Sequence, residues 1–232
     1  MVVRYALEGS VATITMDDGK VNVMSPRMLA ELDAALDRAL ADRAVVLLTG
    51  REGLFSAGFD LPTLRAGGPG ALDMVRGGFE LAARILAFPY PVVVACTGHA
   101  IAMGSFLLVA GDHRVGATGS YRISANEVAI GITVPRAAVE LLRQRLTPAA
   151  FNRAVTLAEA FEPEGAVAAG FLDRVVPPPE LAEAARAAAV AMTGLDMKAH
   201  AASKLRAREH ALAAVHQAID ADALSFRAGA AR

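Results

Sequence analysis

The chain has 232 residues, 54% hydrophobic and 20% charged, with no tryptophan and a single cysteine. That length holds one large domain or two small ones, and the apolar content excludes disorder. With 23 Lys and Arg against 24 Asp and Glu, the formal charge of −1 marks no nucleic-acid or anionic-membrane surface, leaving small molecules and proteins as expected partners.

Cys96 alone forms neither an internal disulfide nor a cysteine-built metal site. Met1 leads straight into a strand-like pattern with no signal peptide, so a cytoplasmic location is expected. Val2 to Glu8 and Val11 to Met16 alternate apolar and polar residues around Gly9-Ser10, the pattern of a hairpin. Ser25-Pro26 then opens an amphipathic helix through Met28, Leu29, Leu32, Leu36 and Leu40 to about Asp42, with Ser25 as N-cap. Val45 to Thr49 reads as a strand buried on both faces. Gly50 to Gly70 is broken by glycine and proline and reads as loop, and a helix follows from Ala71 to Ala87.

Ile85 to Gly111 contains no Asp, Glu, Lys or Arg, long enough for a membrane span by length alone. Pro89, Pro91, the run Val92-Val93-Val94, Gly98 and Gly104 divide it instead into a buried strand, a tight turn and a helix from Met103 to Ala110. Strands alternating with helices imply an α/β architecture with helices covering a largely parallel sheet. Beyond Pro135 the signal is helical over Ala137 to Arg145, Pro148 to Ala158, Pro163 to Ala169, Leu181 to Met192 and Lys198 to Ala228, with Phe171 to Val176 as the remaining strand. Residues 1–176 then form the core and 177–232 a C-terminal helical region, hinged at Pro177-Pro178-Pro179. Its last stretch, rich in Ala and Arg, needs a surface to lie on, either the body or a neighbouring subunit.

The motifs of dinucleotide, nucleotide, zinc-peptidase and serine-hydrolase sites are absent. The five histidines are scattered, and His210 and His216 fit an exposed helix face better than a metal site. Two glycine-containing turns follow the buried strands: Phe55-Ser56-Ala57-Gly58-Phe59-Asp60-Leu61, and Gly98 to Ser105. Small residues there let backbone N–H groups approach a ligand, and a helix starting near Met103 aims free amides at developing negative charge. The same residues also suit any tight strand-to-helix turn. Glu127, amid Ile, Val and Ala, is the candidate base if buried, and an ordinary surface residue of a helical first turn if not. Asp112 and Arg114, flanking His113, read as a structural ion pair.

Asn22 ahead of the Ser25 helix, the Phe55 to Leu61 run, the stretch from Gly98 to Asp112-His113-Arg114, and Asn126-Glu127-Val128-Ala129-Ile130-Gly131 together resemble the crotonase, or enoyl-CoA hydratase/isomerase, family. The resemblance implies a spiral of ββα units with a C-terminal helical trimerisation region, acting on acyl-CoA thioesters as a homotrimer or hexamer. It implies no metal or redox cofactor, coenzyme A arriving as part of the substrate. It also assigns the oxyanion hole to the backbone N–H of Phe59 and Met103 and catalysis to Glu127. Ser56, Ala57, Gly58, Asp60, Leu61, Gly104, Phe106 and Asn126 would bound the substrate. Hydratases of the family carry two glutamates; this chain has Phe106 at the first position and Glu127 at the second. In this it resembles the Δ3,Δ2-enoyl-CoA isomerases, with their apolar first position and Asn-Glu base, more than the hydratases. Val134-Pro135-Arg136, where hydratases tend to have a Pro-Gly-x-Gly-Gly run, is a second step away from hydration. Hydration, another crotonase reaction, or non-catalytic acyl-CoA binding are the alternatives.

Overall fold

The computed structural model describes the backbone of residues 1–230 and the side chains of residues 1–225. In chain order the elements are β1 (Val3–Glu8), β2 (Val11–Met16), α1 (Pro26–Ala41), β3 (Val45–Thr49), β4 (Gly53–Ser56), α2 (Leu61–Ala66), α3 (Gly68–Ala87), β5 (Val92–Cys96), β6 (Gly98–Ile101) and α4 (Met103–Ala110). They continue through β7 (His113–Ala117), β8 (Ile123–Ser124), α5 (Arg136–Arg143), α6 (Pro148–Leu157), α7 (Pro163–Ala169), β9 (Arg174–Val176), α8 (Leu181–Met192) and α9 (Met197–Ala230). Short 3-10 turns cover Val128–Ile130 and Pro178–Glu180.

The strands form a six-stranded sheet in the order β1-β2-β3-β5-β7-β9 and a three-stranded sheet in the order β4-β6-β8. Only the β1–β2 hairpin is antiparallel among these pairs. Each turn of the chain lays one strand in the large sheet and the next in the small one: β3 then β4, β5 then β6, β7 then β8. This is the ββα spiral. The apolar run of β3 is explained by burial on both faces, with Val46 and Leu48 in the main core and Val45 and Leu47 in a second core under α8. On the first face, α1 packs Met28, Leu29, Leu32 and Leu36, and its N-terminus is capped as the sequence predicts, Ser25 Oγ accepting the Met28 N–H at 3.2 Å. On the second face, α8 supplies Leu181, Ala185 and Ala189.

The charge-free stretch becomes the end of α3, then β5, β6 and α4, and among the described residues no helix is long and apolar enough to cross a membrane. Several sequence expectations are corrected. The presumed loop from Gly50 to Gly70 contains β4 and α2, and the turn after β5 contains β6. The two strands are four residues long, too short for a periodic signal, and are held by the parallel pairing of Gly53, Leu54 and Ser56 with Gly98, His99 and Ala100. His113–Ala117 is also a strand, carried by its parallel neighbours β5 and β9 rather than by an apolar run, while the strand expected over Phe171 to Val176 is confined to Arg174–Val176.

Asp112 and Arg114 do not pair with each other. Arg114 binds Asp173 at 2.6 Å, whereas Asp112 receives Lys204 at 2.7 Å and Arg208 at 2.9 Å from α9. The long helix thus docks on its own chain's body, through these largely buried ion pairs in its first half. Val215, Ala218, Ile219 and Ala223 add the buried apolar contact further along, and His210 and His216 lie exposed.

Candidate active site

Two peptide groups face each other where β4 and β6 end. Gly58 sits at φ +91°, and a Cβ there would stand 2.9 Å from the Ala102 Cβ, 3.0 Å from the Ile101 carbonyl and 3.5 Å from the Met103 nitrogen. Only glycine lets the two turns approach this closely. Gly104 is required for a similar reason, since a Cβ there would lie 2.6 Å from the Ser56 carbonyl.

The carbonyl of the Gly58–Phe59 peptide accepts the Met24 N–H at 2.8 Å. In a trans peptide this turns the Phe59 N–H the opposite way. The Ala102 carbonyl accepts from the Ser105 and Phe106 N–H groups at 2.9 and 3.2 Å, which likewise turns the Met103 N–H outward at the start of α4. Neither amide donates to another group among the described residues. Ala102 holds φ +49° and ψ −122°, strained for a residue with a Cβ, and strain of about 1–3 kcal/mol persists only where surrounding bonds over-determine it.

Beside this cradle opens a cavity of about 520 Å³, within the range of small-ligand sites. Ala57, Phe59, Ala102 and Phe106 form its wall on the cradle side, Leu64, Leu72, Val75 and Phe79 come from α2 and α3, and Ile219, Asp222 and Ala223 come from α9. Phe79 packs edge-on to Phe59 and stacked on Phe106, both at 6.0 Å between ring centroids.

Glu127 and Asn126 line the same space. The Glu127 carbonyl accepts the Ile130 and Ile132 N–H groups at 3.1 and 2.9 Å, fixing the turn that presents the side chain. The residue is only 7% exposed, its Oε2 is buried without a hydrogen-bond partner among the described residues, and burial pushes its pKa up to about 7. The surface position left open by the sequence is therefore excluded. Asp222, the second carboxylate on the wall, is committed elsewhere: it accepts the Arg136 and Ala137 N–H groups at 3.1 and 3.0 Å, capping α5.

Of the residues singled out in the sequence, Ala57, Phe59, Leu61, Phe106, Asn126 and Glu127 border the cavity. Met103 contributes its helix-start amide while its side chain is buried. Ser56 is wholly buried and does not border the cavity; it holds the turn from behind. Asp60 caps α2 through the Thr63 N–H at 3.1 Å. The walls from α3 and α9 were not named by residue in the sequence. The apolar periodicity of α3 signals burial but not which positions border an empty space, and α9 carries little such periodicity to read.

A ββα spiral that brings two outward peptide N–H groups beside a buried carboxylate defines a crotonase-fold protein. The enoyl-CoA hydratase/isomerase family model matches residues 6–229, and the chain belongs to that family. A putative enoyl-CoA hydratase of Thermus thermophilus is 37% identical over 191 residues, covering 78% of this chain and 74% of that protein. A Mycobacterium tuberculosis protein, 50% identical, is described as probable enoyl-CoA hydratase EchA3 in one crystal structure (TM-score 0.95, covering 97% of this chain and 96% of that one). It is described as an enoyl-CoA isomerase in another (TM-score 0.93, covering 96% and 98%). The human mitochondrial Δ3-Δ2-enoyl-CoA isomerase is 27% identical at a TM-score of 0.92, covering 97% of this chain and 90% of that one.

Proposed function

We propose that the protein is an acyl-CoA isomerase that moves a double bond from C3 to C2 of an enoyl-CoA thioester, using Glu127 as its single acid–base group. The thioester oxygen binds the Phe59 and Met103 N–H groups. Glu127 removes a proton from C2, the electron pair shifts onto the thioester oxygen as an enolate, and the amides stabilise that charge. The enolate then collapses to the C2–C3 double bond while the C3–C4 electrons take the proton back from Glu127 at C4. One proton leaves and one returns, so no redox partner is consumed.

The observation that carries the reading is that Glu127 is the uncommitted carboxylate of the cavity. Asp222 is held by α5, and Phe106, which borders the cavity, stands where the family resemblance implies a hydratase's other glutamate. A pKa near 7 suits a group that must both accept and release a proton near neutral pH.

The relatives named hydratases favour the competing reading, water addition across a C2–C3 double bond, which needs a second group to hold the water. Assaying 3-enoyl-CoA isomerisation beside 2-enoyl-CoA hydration separates them. Isomerisation is expected to dominate and to fall about 10² to 10⁴-fold in Glu127→Gln. Undiminished turnover by that variant removes Glu127 from the base role. Assembly into a trimer, or a hexamer of two trimers, belongs to the same proposal. It would use surfaces other than the face of α9 already packed on α3 and α5, and light scattering showing a monomer at micromolar concentration would contradict it.

A further inference from the structure

Each turn of the cradle holds a buried serine that does not border the cavity. Ser56 Oγ donates to the Asn22 carbonyl at 2.7 Å and accepts the Gly58 N–H at 3.1 Å. Because the carbonyl can only accept, the hydroxyl proton is committed to it, leaving an oxygen lone pair for Gly58. Asn22 is itself wholly buried at φ +49°, and its side chain bridges the Met16 and Phe55 carbonyls at 3.0 and 3.2 Å. Ser56 therefore ties the Gly58 turn to a stiff anchor. Ser105 Oγ donates to the Ala102 carbonyl at 2.8 Å, the same carbonyl that two N–H groups already hold. A donor added at that oxygen polarises the peptide and strengthens its opposite end, the Met103 N–H, as a donor.

We propose that Ser56 and Ser105 are paired positioning residues, one in each turn that carries an oxyanion donor, Ser56 acting through the Gly58 turn and Ser105 on the Ala102–Met103 peptide itself, that set the direction of the Phe59 and Met103 N–H groups without touching substrate. The inference rests on the cradle being the thioester-binding site. A hydroxyl placed for packing alone would leave the electronic state of a bound carbonyl unchanged when removed. A hydroxyl that aims a donor would not, since an ångström-scale misplacement near reacting atoms lowers the rate by about 10²-fold.

The test is the infrared stretch of an isotopically labelled thioester carbonyl in a saturated acyl-CoA, which binds but has no double bond to move. Wild type is expected to lower the frequency relative to the free thioester. Ser105→Ala, a fold-compatible change inside a helix, and Ser56→Ala are each expected to lose part of that shift, and the double variant most of it. With an enoyl substrate, kcat is expected to fall by about tenfold to a hundredfold while KM changes little, as expected for interactions strengthened in the transition state.

If Ser56→Ala does not fold, Ser56→Cys, slightly larger, keeps a donor at the position but a weaker one, and is expected to give an intermediate shift. A full wild-type shift in both Ser105→Ala and the Ser56 variant overturns the inference alone. No shift in wild type overturns the reading of the site on which it depends.

Discussion

In the cradle, the Gly58 and Ala102 carbonyls and the Ser56 and Ser105 hydroxyls are all hydrogen-bonded, whereas in the adjoining corner Glu127 Oε2 has no partner among the described residues. Both regions are buried, so the contrast lies in what burial does. On the proposed mechanism it freezes the dipoles around the amides in the direction that developing negative charge would need, leaving little reorganisation at the moment of reaction. Around the carboxylate it withholds solvation, raising its basicity and leaving it ready to take a proton. In one half the carbonyls and hydroxyls behind two free N–H groups are all bonded, and in the other a carboxylate oxygen is left without a partner among the described residues.

Sharpening that contrast starts with the pH profile. If Glu127 must be ionised to act, kcat/KM falls about tenfold per pH unit below its pKa near 7, about a hundredfold by pH 5, and a profile flat to pH 5 would break it. A second comparison sets a paired, partly buried carboxylate against the unpaired, buried Glu127. Asp112 is paired with Lys204 and Arg208, so Asp112→Ala strands their charges and is expected to destabilise the fold by about 3–5 kcal/mol in a urea titration.

Glu127→Gln should act with the opposite sign. The folded state holds its proton to about pH 7 and the unfolded chain releases it near 4.5, so wild-type stability declines as pH rises across that window. Above it the variant is expected to be more stable by about 3 kcal/mol, at 1.36 kcal/mol per pKa unit, and near pH 4 the gain disappears. Thermal melts at the two pH values read this as about 2–4 °C per kcal/mol. The smallest effect is expected from Asp222→Ala, which removes the α5 cap at about 1 kcal/mol and loosens the α9 wall of the cavity, raising KM more than it lowers kcat.

Much of the scaffold was legible in the residues. The Ser25 cap, the doubly buried Val45 to Thr49 run and the start of α4 at Met103 follow from local propensity and patterning, which the tertiary fold agrees with. β4, β6 and β7 were not legible, because their stability resides in parallel neighbours distant in sequence. The same holds for Asp112 and Arg114, whose partners lie 92 and 59 residues away. In the site, the sequence named Glu127 without deciding whether it was buried, since burial depends on how the turn at Val128–Ile130 folds against the cavity. Ser56, which the family resemblance places against the substrate, lies behind the turn, and nothing in the order of residues at a strand end tells which side a short turn presents.

In the proposed reaction one carboxylate moves a proton within the substrate and no water is added. Incubating a 3-enoyl-CoA with the protein in water labelled with heavy oxygen, and following mass and label, tests it directly. The expected product is a conjugated 2-enoyl-CoA of unchanged composition with no heavy oxygen in its acyl chain. A hydroxyacyl-CoA carrying the heavy oxygen as the principal product would contradict the proposal.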